Sequence, residues 1–154
     1  MKQRIYIDTS VIGGCEDDEF SRWSIRLFKE FREGLRIAVV SDLTRRELEG
    51  APEKVKETLF SLPETSVENV FLTEEAETLA QRYLEGDVVG VRHIADAQHI
   101  AIASVERVDV LVSWNFQQIV NLDRIRAFNS VNLRLGYSLL EIRDPREIIR
   151  EEEV

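Results

Sequence analysis

Apolar residues recur along this chain in two rhythms. Short apolar, β-branched runs at 3–7 (QRIYI), 35–40 (LRIAVV) and 108–113 (VDVLVS) read as buried strands. Between them the spacing widens to three and four. Phe20, Trp23, Leu27, Phe28 and Phe31 form one stripe, which predicts an amphipathic helix from Asp18 to Arg32 that Gly34 stops. Further helices are predicted over 43–49, ended by Gly50, and from Pro52, as a first helical residue, to Phe60. Another runs from an N-cap at Thr73, with Glu74 and Glu75 in its first turn, to Glu85. The pattern also predicts a helix over 92–106, a broken one over 116–134, and weaker strands at 66–71 and 139–142. Asp144-Pro145-Arg146-Glu147 reads as an N-cap, a first-turn proline and a reaching glutamate, opening a terminal helix.

Strands that alternate with helices predict an α/β fold, a three-layer α/β/α sandwich around a central, mostly parallel sheet. The 154 residues fit one domain, 1–150, with an acidic tail at 151–154, and no repeat or linker divides the chain. Composition changes this picture mainly by exclusion. The chain is 44% hydrophobic and 32% charged, which excludes a disordered chain. No apolar run reaches about 18 residues, so no membrane span is expected. Met1-Lys2-Gln3-Arg4 leads straight into a strand without an apolar leader, and Cys15 is the single cysteine. Both features lead to the expectation of a cytoplasmic protein without disulfides. A net charge of −9 argues against broad non-specific nucleic-acid binding. It leaves room for an enzyme that meets phosphate locally through a metal ion.

Candidate chemistry starts at "IYIDTSVIGG", residues 5–14. Ligands of open parallel sheets bind beyond the carboxyl ends of the strands. Asp8 falls just past the first strand, with Thr9 and Ser10 placed to orient it and Gly13-Gly14 placed to turn the chain away. Taken alone it reads as a turn cap or as a ligand. The second strand runs into "SDLTRRELEG", which holds Glu47. That residue closes a capping box with Thr44, stapled by Leu43 and Leu48. If Ser41 is the N-cap instead, Glu47 lies in the second turn and can face a site. The strand "VDVLVS" runs into "WNF", bringing Ser113 and Asn115 to the same edge. In "VRHIADAQHIAIAS", Asp96 lies beside a buried stripe of Ile94, Ala97, Ile100, Ala101 and Val105. An unpaired charge there costs on the order of several kcal/mol, so a partner is required, Arg92 or a cation.

Other residues carry weaker signals. His93, Asp96 and His99 fan out around a helix, and no fourth soft ligand is evident, which disfavours zinc. His99 reads as a packed or hydrogen-bonded histidine. Trp114 and Phe116 read as base-stacking platforms or as core, with Phe116 assigned to the core. Arg45 and Arg46 suit phosphate or a solvated face. Asn121, Asn129 and Asn132 are dense and have no role assignable from sequence.

Together "IYIDTSVIGG", "VVSDLTRRELEG", "DAQHIAIA" and "LVSWNF" resemble, in order and spacing over nearly the whole chain, a PIN domain. That is the compact ribonuclease fold of VapC toxins in bacterial and archaeal toxin–antitoxin pairs. The resemblance implies a metal-dependent endoribonuclease that leaves a 5′-phosphate, a homodimer, an RNA substrate and a cognate antitoxin protein. It places the acidic site on Asp8, Glu47 and Asp96, with Asn115 where the family has a fourth acid. A hard oxygen set of this kind suits Mg²⁺ or Mn²⁺. Asp8 and Asp96 are the expected direct ligands, with Glu47 acting directly or through water. Asn115 would offer a neutral oxygen, and Thr9 and Ser113 are auxiliary. An asparagine at position 115 removes one negative charge and weakens metal binding. The rival reading is a PIN-like module, catalytically weak or inactive, that binds nucleic acid or protein. A phosphoryl-transfer protein with Asp8 as nucleophile fits less well, because "DTS" lacks the second aspartate two residues on.

Overall fold

The computed structural model describes residues 1–150; the acidic stretch 151–154 lies outside the described residues. Five strands, β1 (Gln3–Ile7), β2 (Arg36–Ser41), β3 (Val67–Val70), β4 (Val110–Val112) and β5 (Ile142–Arg143), form one sheet in the order β3-β2-β1-β4-β5. Every pairing is parallel. Eight α-helices connect or flank the strands: α1 (Thr9–Gly13), α2 (Ser21–Arg32), α3 (Asp42–Leu48), α4 (Glu53–Phe60), α5 (Glu74–Glu85), α6 (Ile94–Val105), α7 (Leu122–Arg134) and α8 (Pro145–Ile148). The predicted three-layer α/β/α architecture is observed, with the described sheet wholly parallel. No described helix is long and apolar enough to cross a membrane.

The period of two along the strands sorts the core into two layers. Tyr6, Val39 and Leu111 face α5, α6 and α7, where they pack with Leu79, Tyr83, Ile100 and Phe128. Ile5, Ile7, Ala38, Val40, Val110 and Val112 face the other way, against Val11, Leu27, Phe28, Phe31 and Val55. The central strand β1 is therefore covered on both faces, and Ile5, Tyr6 and Ile7 are fully buried.

Strand order reverses beside β1. The chain steps outward through β2 and β3, then returns to place β4 on the other side. The carboxyl ends of β1 and β4 flank this crevice, with Ile7 paired to Val112. That is where open α/β sheets hold ligands.

Departures from the sequence reading have local causes. Residues 9–13 form an unpredicted helix because the Asp8 side chain accepts the Val11 N–H and caps it. Gly13 and Gly14 both adopt ordinary right-handed backbone, so neither is needed to turn the chain. Pro52 is the N-cap of α4 rather than its first residue. The helix predicted over 116–134 begins only at Leu122. Asn121 caps α7, and its amide holds the Phe116 and Gln117 carbonyls, which keeps 116–121 out of the helix. The late strand is shifted to Ile142–Arg143. The Asn129 amide binds both the Leu140 carbonyl (3.1 Å) and the Leu140 N–H (2.7 Å), so that residue cannot join the sheet. Asn132 is buried and pairs with Tyr83 and Ser104. Gly34 does stop α2, in the left-handed conformation (φ 75°), and the capping box of α8 is present.

Gly14 is required for another reason. A Cβ there would stand 2.6 Å from Ser24 Oγ and 2.7 Å from Trp114 Nε1, the two atoms of a buried hydrogen bond. Gly14→Ala should therefore cost ~1–3 kcal/mol through overpacking. Gly13→Ala meets nothing within 4 Å and should not destabilise the fold. Thermal denaturation of the two variants checks this: a clear fall in Tm for Gly14→Ala alone is expected, and equal Tm values contradict it.

Candidate functional site

Asp8 leaves the end of β1 nearly fully buried, at 5% exposure. It serves as cap and as candidate ligand at once. Oδ1 accepts the Val11 N–H at 3.2 Å and the Ser10 hydroxyl at 2.6 Å, while Oδ2 accepts the Ser113 hydroxyl at 2.5 Å. Ser113 is fully buried at the end of β4, and its Oγ accepts the Asn115 N–H at 3.0 Å. Ser10 Oγ accepts the Trp114 N–H at 2.9 Å. Two hydroxyls thus tie the Asp8 carboxylate to the backbone that follows β4.

Glu47 arrives from α3. Ser41 is the N-cap, accepting the Thr44 N–H at 3.1 Å, so Glu47 falls in the second turn and the alternative capping box with Thr44 is not formed. Glu47 Oε1 accepts the Thr9 hydroxyl at 2.6 Å and pairs with His99 Nε2 at 2.8 Å. Thr9 therefore orients Glu47, and Ser10 alone of the two hydroxyl residues orients Asp8. No hydrogen bond to Glu47 Oε2 is made among the described residues.

Asp96 sits in the first turn of α6, its side chain 23% exposed. Its neighbours are Asn115 Nδ2, 3.3 Å from Oδ1, and His93 Nδ1, 3.5 Å from Oδ2; Arg92 is not its partner. Asn115 Oδ1 is engaged by the Gln118 N–H at 3.0 Å, so the amide turns its nitrogen toward Asp96 and its oxygen into the following loop. That placement departs from the expected oxygen donor.

His99, one helical turn beyond Asp96, is the member of the site that sequence reasoning undervalued. It is 2% exposed, with Nδ1 2.6 Å from Tyr6 Oη and Nε2 on Glu47. The sequence reading of a packed or hydrogen-bonded histidine is correct as far as it goes, but did not reveal that its partner is Glu47. Of the flanking aromatics, Trp114 is buried and stacks on Phe20 with centroids 4.1 Å apart. Phe116, assigned to the core from sequence, is 38% exposed, so the expectation for that residue is corrected. Arg45 binds Asn69.

The electrostatics follow from burial. Loss of water raises the Asp8 carboxyl, against the pull of His99 and the hydrogen bonds from Ser10, Ser113 and Val11. Burial also raises Asp96, reinforced by the charges of Asp8 and Glu47 and opposed by His99 and His93. Burial pushes Glu47 upward too, but the His99 hydrogen bond and charge, with Thr9 and Arg46, outweigh it and hold the carboxyl below its ordinary value. Asp96 thus lies within the field of both other acids. Among the described residues, no three His, Cys, Asp or Glu side chains stand close enough together to hold a metal ion by themselves. The donor set nonetheless fits a small hard cation, which takes one or two carboxylates directly and keeps its waters. Asp8 and Asp96 could hold such an ion, with Glu47 reached through water.

A raised carboxyl in the folded state binds its proton more tightly than in the unfolded chain, so folding gains stability as pH falls through the native pKa and loses it as pH rises. In chelator, Asp96→Asn should therefore melt higher than the wild-type chain at pH 7, and the gap should close on acidification. Melting curves between pH 7 and pH 4.5 check this; a gap that is constant or widens at low pH contradicts it.

No protein-family model matches the sequence, nor does any curated protein. Among the solved structures that are similar in shape are two VapC-type proteins. One is VapC20 of Mycobacterium tuberculosis, a sarcin–ricin loop cleaving toxin, with TM-score 0.57 and 16% identity over 73% of this chain and 91% of that one. The other is VapBC2 of Rickettsia felis bound to a DNA fragment from their promoter, with TM-score 0.57 and 12% identity over 92% of this chain and 98% of that one. With its wholly parallel 3-2-1-4-5 sheet and a carboxylate at the switch point, the chain has the PIN-like fold of these VapC structures.

Proposed function

We propose that the protein is a metal-dependent endoribonuclease of the VapC toxin type, hydrolysing RNA phosphodiester bonds and controlled by a cognate antitoxin protein. The observation that carries this reading is that Asp8, Glu47 and Asp96, from three remote segments, all lie at the sheet's switch point, where Asp96 feels the negative charges of the other two. No purely structural need explains it, since burial raises two of the three carboxyls. The shape shared with a sarcin–ricin loop cleaving toxin supports RNA as substrate, and the VapBC2 structure supports an antitoxin partner.

When bound, Mg²⁺ or Mn²⁺ supplies Lewis acidity to the phosphate and lowers the pKa of a coordinated water. The residues do the rest. Asp8, fixed by Ser10 and Ser113, and Asp96, steered by Asn115 Nδ2, would hold the ion. Glu47, with Oε1 already satisfied, has Oε2 available to orient the attacking water and receive its proton. Attack in line forms the new P–O bond opposite the 3′ oxygen, which leaves and yields a 5′-phosphate, as the VapC resemblance implies. Homodimerisation belongs to the same proposal.

Two features favour the second reading, a module that binds without cutting: Asn115 stands where the resemblance expects an acid, and among the described residues no three acids converge as direct ligands. A single assay separates the two. Purified protein is incubated with structured and unstructured RNA in Mg²⁺, in Mn²⁺ and in chelator, beside Asp8→Asn and Asp96→Asn. Metal-dependent cleavage that falls by about 100-fold or more in each variant is expected. RNA binding without cleavage in every metal contradicts the nuclease. Asn115→Asp should bind Mn²⁺ more tightly in titration calorimetry, and equal affinity contradicts its assigned role.

A further inference from the structure

Resting on the nuclease reading, we propose that His99 is the positioning residue of the site, fixing Glu47 so that one carboxylate oxygen alone is offered to the reaction. The argument is a closed circuit of hydrogen bonds through four elements. The Thr44 N–H of α3 donates to Ser41 Oγ (3.1 Å), at the end of β2. Ser41 Oγ lies 2.7 Å from Tyr6 Oη on β1, and Tyr6 Oη lies 2.6 Å from His99 Nδ1 on α6. His99 Nε2 returns to α3 by its 2.8 Å bond to Glu47 Oε1. The circuit begins and ends on one short helix, so the position of Glu47 is referred back to β1 and β2.

The donor direction is set by the carboxylate, which only accepts. An Nε2 lone pair facing it at this distance would be repelled, so Nε2 carries a hydrogen whether the ring is neutral or cationic. The ring itself has no freedom to leave. His99 is 2% exposed, meets Tyr6 edge-on with centroids 5.7 Å apart, and lies on a helix whose Ala97, Ile100, Ala101 and Ile102 are fully buried. Thr9 donates to the same Oε1, which saturates that oxygen. Oε2 makes no hydrogen bond among the described residues and is the atom left for solvent or substrate. A flexible, 33%-exposed glutamate side chain is thereby held in one orientation. It acts as a one-oxygen group, through water, rather than as a bidentate ligand.

The test uses His99→Leu, which removes the donor and keeps the bulk, and His99→Gln, whose amide N–H can restore it. In chelator, long-range ¹H–¹⁵N spectra should show a hydrogen on Nε2, with Glu47→Ala shifting Nε2 and Tyr6→Phe shifting Nδ1. In Mn²⁺, His99→Leu should lower kcat on RNA by about 10–100-fold with little change in KM. His99→Gln should recover most of the loss, and His99→Leu combined with Glu47→Gln should be no worse than Glu47→Gln alone. Additive losses, a His99→Gln variant as poor as His99→Leu, or an Nε2 without hydrogen would each overturn the proposal. If His99→Leu does not fold, the spectra and the smaller, like-signed kcat loss expected of Tyr6→Phe decide the matter, and an unchanged Tyr6→Phe overturns it. A wild-type chain that cuts no RNA in any metal would refute the nuclease reading, while the metal-free spectra would still report whether His99 holds Glu47.

Discussion

A carboxylate buried at the end of the central strand is the constraint around which the rest of this structure is arranged. Asp8 is almost wholly removed from water, and burial raises its carboxyl. Everything that touches it answers that cost. The Val11 N–H, the Ser10 hydroxyl and the Ser113 hydroxyl all donate to it, and two of those donors also bind the backbone after β4. The group that is hardest to bury is thus the group that ties the two halves of the sheet together at the switch point. Asp96 adds a second carboxyl raised by burial and by its acidic neighbours. A fold carries such a cost where the charge is used.

Glu47 shows the opposite balance. Its carboxyl is held below the ordinary range because His99 and Thr9 donate to it. The acids are therefore not equivalent. Two are held ionised only at a cost that a cation would relieve, and one is already compensated by the protein. This division suits a site in which Asp8 and Asp96 bind the ion and Glu47 manages water. It would also let an acidic protein meet an anionic polymer, since a bound cation inverts the local sign.

Much of the fold was legible because hydrophobic period and cap chemistry are local signals. The Thr73 cap, the Gly34 stop and the Asp144 capping box all lie where the sequence places them. What was not legible depended on side chains that capture distant or competing backbone. Asp8 nucleates a five-residue helix too short to display a period. Asn121 and Asn129 divert the 116–121 and 139–141 segments by binding their carbonyls and amides. At the site, strand ends and the family resemblance pointed to the acids as candidates, but their hydrogen-bond partners were not readable. The choice between Thr44 and Ser41 as N-cap decided where Glu47 points, and the Ser41 hydroxyl settles it by accepting the Thr44 N–H. The hydrogen bonds of His99 join residues 52 and 93 positions apart in sequence, beyond the reach of any spacing argument.

The central claim is that Asp8 and Asp96 jointly bind a divalent cation at the crevice between β1 and β4. Crystals grown with Mn²⁺ and measured for anomalous scattering test this most directly. The account predicts one strong peak within coordination distance of oxygens of both Asp8 and Asp96, with Glu47 reached through a water. A protein saturated with Mn²⁺ whose anomalous peaks all lie elsewhere, with the Asp8 carboxylate bound only by Ser10, Ser113 and Val11, would contradict it.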